Sequence, residues 1–201
     1  MKLYVIRHGE TDWNVQKRFQ GTADISLNEK GVELARKVGE GMMDIPFDFA
    51  ISSPLRRAVE TAQLALGGRD IPIIPDNRVG EMSFGDWEGL HYYEGSPDIP
   101  ADFMHNFFYD TDNYVAPPNG ESFEEVVART GDLFEELVSN EKYENANILI
   151  SSHGASSRAF LQGVFKDGNI WQTGVPKNCA VTIVEIEKGV VKSVELDHIF
   201  Y

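Results

Sequence analysis

Short apolar, partly β-branched runs in this chain break off abruptly into small or ionisable residues. Leu3-Tyr4-Val5-Ile6 runs into Arg7-His8-Gly9, residues 47–51 into Ser52-Ser53, and residues 147–150 into Ser151-Ser152-His153-Gly154. A further run, 71–74, leads into a glycine-punctuated loop that carries Glu81. Runs of this length and composition read as buried strands. The segments between them have helical spacing, so strand and helix alternate. That alternation predicts an α/β fold, a three-layer α/β/α sandwich with a mainly parallel central sheet. In such a sheet the strand ends lie on one side, where ligands of open α/β sheets bind.

The helices have recognisable boundaries. Ser26 and Glu29 have capping-box spacing and predict a helix to about Met43, with Leu34, Val38 and Met42 on one face. Ser52-Ser53-Pro54 predicts a second helix, with serine as N-cap and proline at N1, ending at Gly67-Gly68. Ser122 with Glu125 opens a third, to about Asn140. A fourth is expected over 155–164, and two strands, 180–186 and 190–198, turn at Lys188-Gly189. Residues 88–120 read as an irregular insertion with one helix near 101–109, longer than a plain connection needs and therefore lid-like.

The chain's 201 residues suit a single domain spanning 1–201. Eighteen basic against 32 acidic residues give a net charge of −14, which argues against a nucleic-acid partner and against an anionic membrane surface. No apolar run reaches membrane-spanning length. The lone Cys179 offers no internal disulfide and reads as a core residue near a strand. Together with the absence of a signal peptide, this predicts a cytoplasmic protein. The oligomeric state stays open between monomer and homodimer.

Two histidines, arginines and a carboxylate converging at strand ends suit phosphoryl transfer, which depends on positioning and charge stabilisation. Arginine supplies forked donors for phosphoryl oxygens. A neutral imidazole is a competent nucleophile, a second, protonated histidine adds donors, and a carboxylic acid can protonate the departing alkoxide. No D-x-D or H-E-x-x-H pattern supplies metal ligands to these strand ends, so neither metal nor other cofactor is expected.

The motifs Arg7-His8-Gly9-Glu10-Thr11-x-x-Asn14, Ser53-Pro54-Leu55-x-Arg57-Ala58-x-x-Thr61-Ala62, Glu81 ahead of Phe84-Gly85-x-Trp87-Glu88-Gly89, and Ser152-His153-Gly154 resemble the histidine phosphatase superfamily, also called phosphoglycerate mutase-like. The spacing resembles its small bacterial phosphatases. The resemblance implies that His8 is the nucleophile and becomes phosphohistidine. It implies that Arg7, Arg57 and His153 hold the phosphoryl oxygens, and that Glu81 is the proton donor and later the base. It also implies that Asn14 with Gln20 and Gly21 completes the phosphate pocket, and that Gly9 and Gly154 permit close backbone approach. Arg56 reads instead as a surface partner of Glu60 at i+4.

The expected substrate is a small-molecule phosphate monoester. From Glu88 through Ala128 there is no lysine or arginine but nine acids, among them Glu94, Asp98, Asp102, Asp110 and Asp112. Acids facing an anionic tail would disfavour the alternative, mutase-type transfer on phosphoglycerate. Nine of the 22 aromatic residues fall between Phe84 and Tyr114; Tyr92, Tyr93, Phe103, Phe107 and Phe108 are candidates to contact an apolar leaving group, and Trp87 is the tryptophan nearest Glu81. A non-catalytic phosphate-binding protein on the same fold is a third reading, and it would be expected to lack one of these site residues.

Overall fold

The computed structural model describes every residue except 94, 166–169 and 172, so Glu94 lies outside the described residues. In chain order the elements are β1 (Lys2–Arg7), a single-turn α1 (Asp12–Val15), α2 (Glu29–Gly41), β2 (Phe49–Ser52), α3 (Arg56–Ala65) and β3 (Ile73–Pro75). They continue with α4 (Phe103–Tyr109), α5 (Phe123–Ser139), β4 (Asn147–Ser152), α6 (Gly154–Phe160), α7 (Gln162–Phe165), β5 (Val181–Glu187) and β6 (Val190–His198). The described strands form one sheet in the order β3-β2-β4-β1-β5-β6. The pairs β3/β2, β2/β4 and β4/β1 are parallel, and β5 and β6 join antiparallel beyond β1.

The alternation along β1 separates two cores. Leu3 and Val5 pack with Leu133, Phe134 and Leu137 of α5 and Phe160 of α6. Tyr4 and Ile6 pack on the other face with Ala35 and Val38 of α2 and Ala62 and Ala65 of α3. Each fully buried Leu or Ile contributes roughly 1.5–3 kcal/mol, so the central strands are fixed from both faces. The register places Arg7 opposite Ser152 and Ser52 opposite Ser151. The reactive segments after β1, β2 and β4 therefore leave the sheet at one edge, as the alternation predicts.

Local boundaries differ from expectation in instructive ways. The N-cap of α2 is Asn28, whose side chain accepts from the Gly31 N–H at 2.8 Å. Ser26 is not the cap; its Oγ accepts from Arg56. The α2 start is set by packing: a Cβ on Gly9 would lie 2.7 Å from the Gly31 carbonyl oxygen, and one on Gly31 2.2 Å from that of Glu10. The helix enters where those two backbones can touch.

Helix α3 begins at Arg56 rather than at Pro54, and Leu55 at its N-cap supplies no side-chain bond. The cap comes from afar, since the Arg56 N–H donates to Asp24 Oδ1 at 2.7 Å. Arg56 pairs with Asp24, while Glu60 accepts from the Leu27 N–H. The expected Arg56–Glu60 pair is thus replaced by two tethers to the 22–27 loop. The helix expected over 155–164 is divided at Leu161 into α6 and α7. Ser122 and Glu125 do form the reciprocal capping box of α5.

The insertion packs a third apolar cluster, with Phe103 and Phe107 of α4 against Phe19, Phe84, Phe123 and Ala155. Cys179 is fully buried, and burial pushes its thiol up to about 12, which suits the core role read from the sequence. No described helix is long and apolar enough to cross a membrane.

Candidate active site

His8 leaves β1 nearly buried, at 2% exposure. Its Nδ1 lies 2.6 Å from the Gly9 carbonyl oxygen. A carbonyl can only accept, so Nδ1 carries the proton and Nε2 keeps its lone pair. The seat is fixed from behind: Gly9 N–H donates to Thr61 Oγ1 at 2.9 Å, and Asn178 Nδ2 donates to the His8 carbonyl at 3.0 Å.

Arg57 is fully buried on α3. Its Nη2 and Nη1 donate to the Gly21 and Ala23 carbonyls at 2.8 and 2.7 Å, and its Nε donates to His153 Nδ1 at 3.2 Å. That last bond decides the state of the second histidine. With Nδ1 accepting, the His153 proton sits on Nε2, so the imidazole is neutral rather than the protonated donor expected from sequence. His153 Nε2 and Arg7 Nε are both buried with no hydrogen-bond partner among the described residues. The two histidine rings lie 5.1 Å apart between centroids. Arg7 is anchored by its Nη1 to the Pro176 carbonyl.

Burial, followed by the positive field of Arg57 and then Arg7, holds His8 well below its usual 6.5. His153 is lowered by burial, Arg57, His8 and Arg7 in that order. Burial also lowers Arg57 to about 10, against the pull of Glu81, and it remains a cation at neutral pH. The unfolded chain protonates these imidazoles near pH 6.5 and the folded chain only well below it. The unfolded state therefore binds more protons in that window, and this contribution to stability is lost as pH falls below 6.5. In imidazole 15N NMR spectra both residues are expected to stay neutral, one proton each on His8 Nδ1 and His153 Nε2, at pH 6. A half-protonated ring there would contradict the assignment.

Glu81 sits in a loop, and its carboxylate reaches the start of α6. It accepts from the N–H groups of Met82 (2.9 Å), Gly154 (2.9 Å), Ser156 (3.1 Å) and Ala155 (3.4 Å). The Gly154 N–H is thus directed at Glu81. A Cβ on Gly154 would stand at ordinary contact distance, 3.6 Å from Glu81 Oε2 and 3.9 Å from Arg7 Nε. Close backbone approach is required at Gly9 but not at Gly154. Asn14 closes the α1 capping box, its Oδ1 accepting from Thr11 N at 3.0 Å. That orients its Nδ2 as the outward donor. Gly21 has φ +50°, and any side chain there would strike the Glu88 carboxylate, which binds Thr22 N at 2.8 Å and Phe84 N at 3.2 Å.

Of the site residues expected from sequence, all but Gly9 and His153 line one cavity of about 210 Å³: Arg7, His8, Asn14, Gln20, Gly21, Arg57, Glu81 and Gly154. Its apolar lining is Phe19, Phe84, Tyr92, Met104, Phe107, Phe108, Trp171 and Val175. Of the aromatic candidates, Tyr92, Phe107 and Phe108 reach the cavity, whereas Tyr93 and Phe103 do not. Trp171, and not Trp87, is on the described lining. The described acids of residues 88–128 do not line it either: Glu88 ties down Thr22, and Glu121 pairs with Arg129. The acids expected to face the substrate are thus absent from the described lining, which is apolar on that part. Arg18, Asn178, Arg129 and Trp171 were not singled out as site residues by the sequence. Arg18 is the one further cation on the described lining. Among the described residues no group of three or more His, Cys, Asp or Glu side chains could hold a metal ion.

Comparison with known proteins gives this geometry its context. Residues 3–198 match the model of the histidine phosphatase superfamily, branch 1. The chain is 36% identical over 157 residues to an uncharacterised phosphatase, PhoE, of Bacillus subtilis, covering 78% of this chain and 74% of that protein. It is 33% identical over 162 residues to 2,3-bisphosphoglycerate-dependent phosphoglycerate mutase 2 of Gloeobacter violaceus, covering 79% and 73%. The solved structure of Bacillus stearothermophilus YhfR superposes with a TM-score of 0.85 at 32% identity over 98% of this chain and 96% of that one. With the motifs in order and the fold matched along nearly its whole length, the chain belongs to the histidine phosphatase superfamily, as a phosphoric monoester hydrolase.

Proposed function

We propose that this chain hydrolyses phosphate monoesters of apolar or aromatic alcohols in two steps at His8, without metal. The observation that carries this reading is the pair of buried donors, Arg7 Nε and His153 Nε2–H, that have no described acceptor beside a histidine whose Nε2 lone pair is free. Buried donors require partners, and phosphoryl oxygens are acceptors of the right charge.

In the first step His8 Nε2 attacks phosphorus while the P–O bond to the alcohol breaks. Arg7, Arg57 and His153 Nε2–H hold the three oxygens, with Asn14 Nδ2 and the Gln20–Gly21 loop at the side. Glu81 gives its proton to the departing alkoxide, so the alcohol leaves neutral. The Gly9 carbonyl keeps the Nδ1 proton and supports the positive charge that the ring gains on phosphorylation. In the second step Glu81 takes a proton from water, whose oxygen attacks phosphorus. The P–N bond breaks, orthophosphate leaves, and His8 returns to neutrality.

The apolar wall supports hydrolysis of such esters, with the insertion acting as lid over 88–120. Mutase-type transfer is the second reading, favoured by similarity to the Gloeobacter protein and by Arg18 on the wall. The experiment is a panel of aryl, alkyl and bisphosphorylated esters, run with and without chelator. Aryl and long-chain alkyl esters are expected to have the highest kcat/KM, unchanged by chelator. Highest turnover of bisphosphoglycerate, or loss of activity with chelator, would overturn the proposal.

A further inference from the structure

We infer that Arg129 of α5 is the positioning residue for the acid Glu81, acting together with Glu121; this rests on the proton-donor role proposed above. Residues 81–84 belong to no helix or strand, so their backbone groups need partners from elsewhere. Arg129 supplies part of these, directly and through Glu121. Its Nη1 donates to the Arg78 and Gly80 carbonyls at 2.9 and 2.8 Å, and its Nη2 to the Glu81 carbonyl at 3.0 Å.

The same guanidinium holds Glu121 by a two-point pair, Nε to Oε1 at 2.8 Å and Nη2 to Oε2 at 2.9 Å. Glu121 then grips the far side of the acid loop. Its Oε2 accepts from Ser83 N at 2.8 Å, and its own N–H donates to the Ser83 carbonyl at 2.9 Å. The pair is mostly buried, 21% and 25% exposed, and the two-point geometry fixes direction as well as distance. Arg129 does not line the catalytic cavity. Apart from a minor share of the positive field at His153, it reaches the reaction through the backbone on either side of Glu81, so its main effect must follow the step that Glu81 serves.

That step can be read from leaving-group dependence. An alkyl phosphate expels a strongly basic alkoxide and needs the proton, whereas nitrophenyl phosphate expels a weakly basic phenolate and barely needs it. The ratio kcat/KM also reports only on events up to the first P–O cleavage, so hydrolysis of phosphohistidine does not enter. General acid catalysis is worth roughly 10²–10⁴-fold. Glu81→Gln is therefore expected to lower kcat/KM for the alkyl ester by about a hundredfold or more, and for the nitrophenyl ester by less than about tenfold.

Arg129→Leu is expected to give the same pattern at smaller size, roughly thirtyfold against less than about threefold, with Arg129→Lys intermediate. The retained nitrophenyl activity itself shows that the variant is folded. If the leucine variant does not fold, the lysine variant decides by the same ratio. Equal losses on both esters, or none on either, would overturn the positioning role. If Glu81→Gln fails to separate the two esters, the acid assignment falls first and this inference with it.

Discussion

His8→Ala is expected to lower kcat for any phosphate monoester by about four orders of magnitude or more, because in the proposed mechanism it removes the nucleophile, and no other described imidazole at the site has a free lone pair. The size follows from the seat. His8 is nearly buried, its Nδ1 is committed to Gly9, and its backbone is tied to Ser152 and Asn178. No second imidazole can take over, since His153 presents Nε2–H and not a lone pair while Arg57 holds its Nδ1. The check is a rapid-quench experiment with phosphorus-labelled ester. The native chain should carry acid-labile phosphate before product orthophosphate appears, and the variant none. A variant that keeps a tenth of the native kcat would mean that water attacks phosphorus directly.

Arg57→Lys should cost about a thousandfold in kcat/KM, roughly 4 kcal/mol, although the charge is kept. Lysine cannot hold the Gly21 carbonyl, the Ala23 carbonyl and His153 Nδ1 in one plane, as the guanidinium does. Two losses follow. The 21–23 loop, whose Gly21 lines the cavity, loses its anchor. The His153 tautomer loses the donor that fixes it, so its proton can move to Nδ1, where it faces away from the phosphoryl group. The NMR signature is specific: the proton on His153 Nε2 should no longer be fixed there, while His8 keeps its own on Nδ1. Activity within tenfold of native, with the tautomer unchanged, would show that charge alone suffices at this position.

Much of this site is legible along the chain because strand ends are a local property. A β-branched run followed by Arg7-His8-Gly9, or by Ser152-His153-Gly154, declares both its strand and where the strand stops. Arg57 could be separated from Arg56 by motif position alone. Their partners could not be separated that way: Arg56 meets Asp24, and Glu60 meets Leu27, because the 22–27 loop folds over the start of α3. Ser26 and Asn28 are both good caps; the contact of Gly9 with Gly31 selects Asn28. The acids of the insertion looked like a charged wall by count, yet Glu88 and Glu121 are turned inward to hold loops.

The sequence by itself determined the order of strands and helices, the two faces of the central sheet, and the residues delivered to its edge. It could do so because periodicity and strand termination are written in neighbouring residues. Only the tertiary structure decided the proton positions on the two histidines, the seat of Glu81 on the α6 amides, the support of its loop by Arg129, and which apolar residues line the cavity. Each of these depends on pairs of groups separated by tens of residues: Arg57 with His153, Glu81 with Gly154, and Arg129 with the carbonyls of Arg78, Gly80 and Glu81. Their hydrogen bonds are set by how the layers pack, and packing is not a local property of the chain.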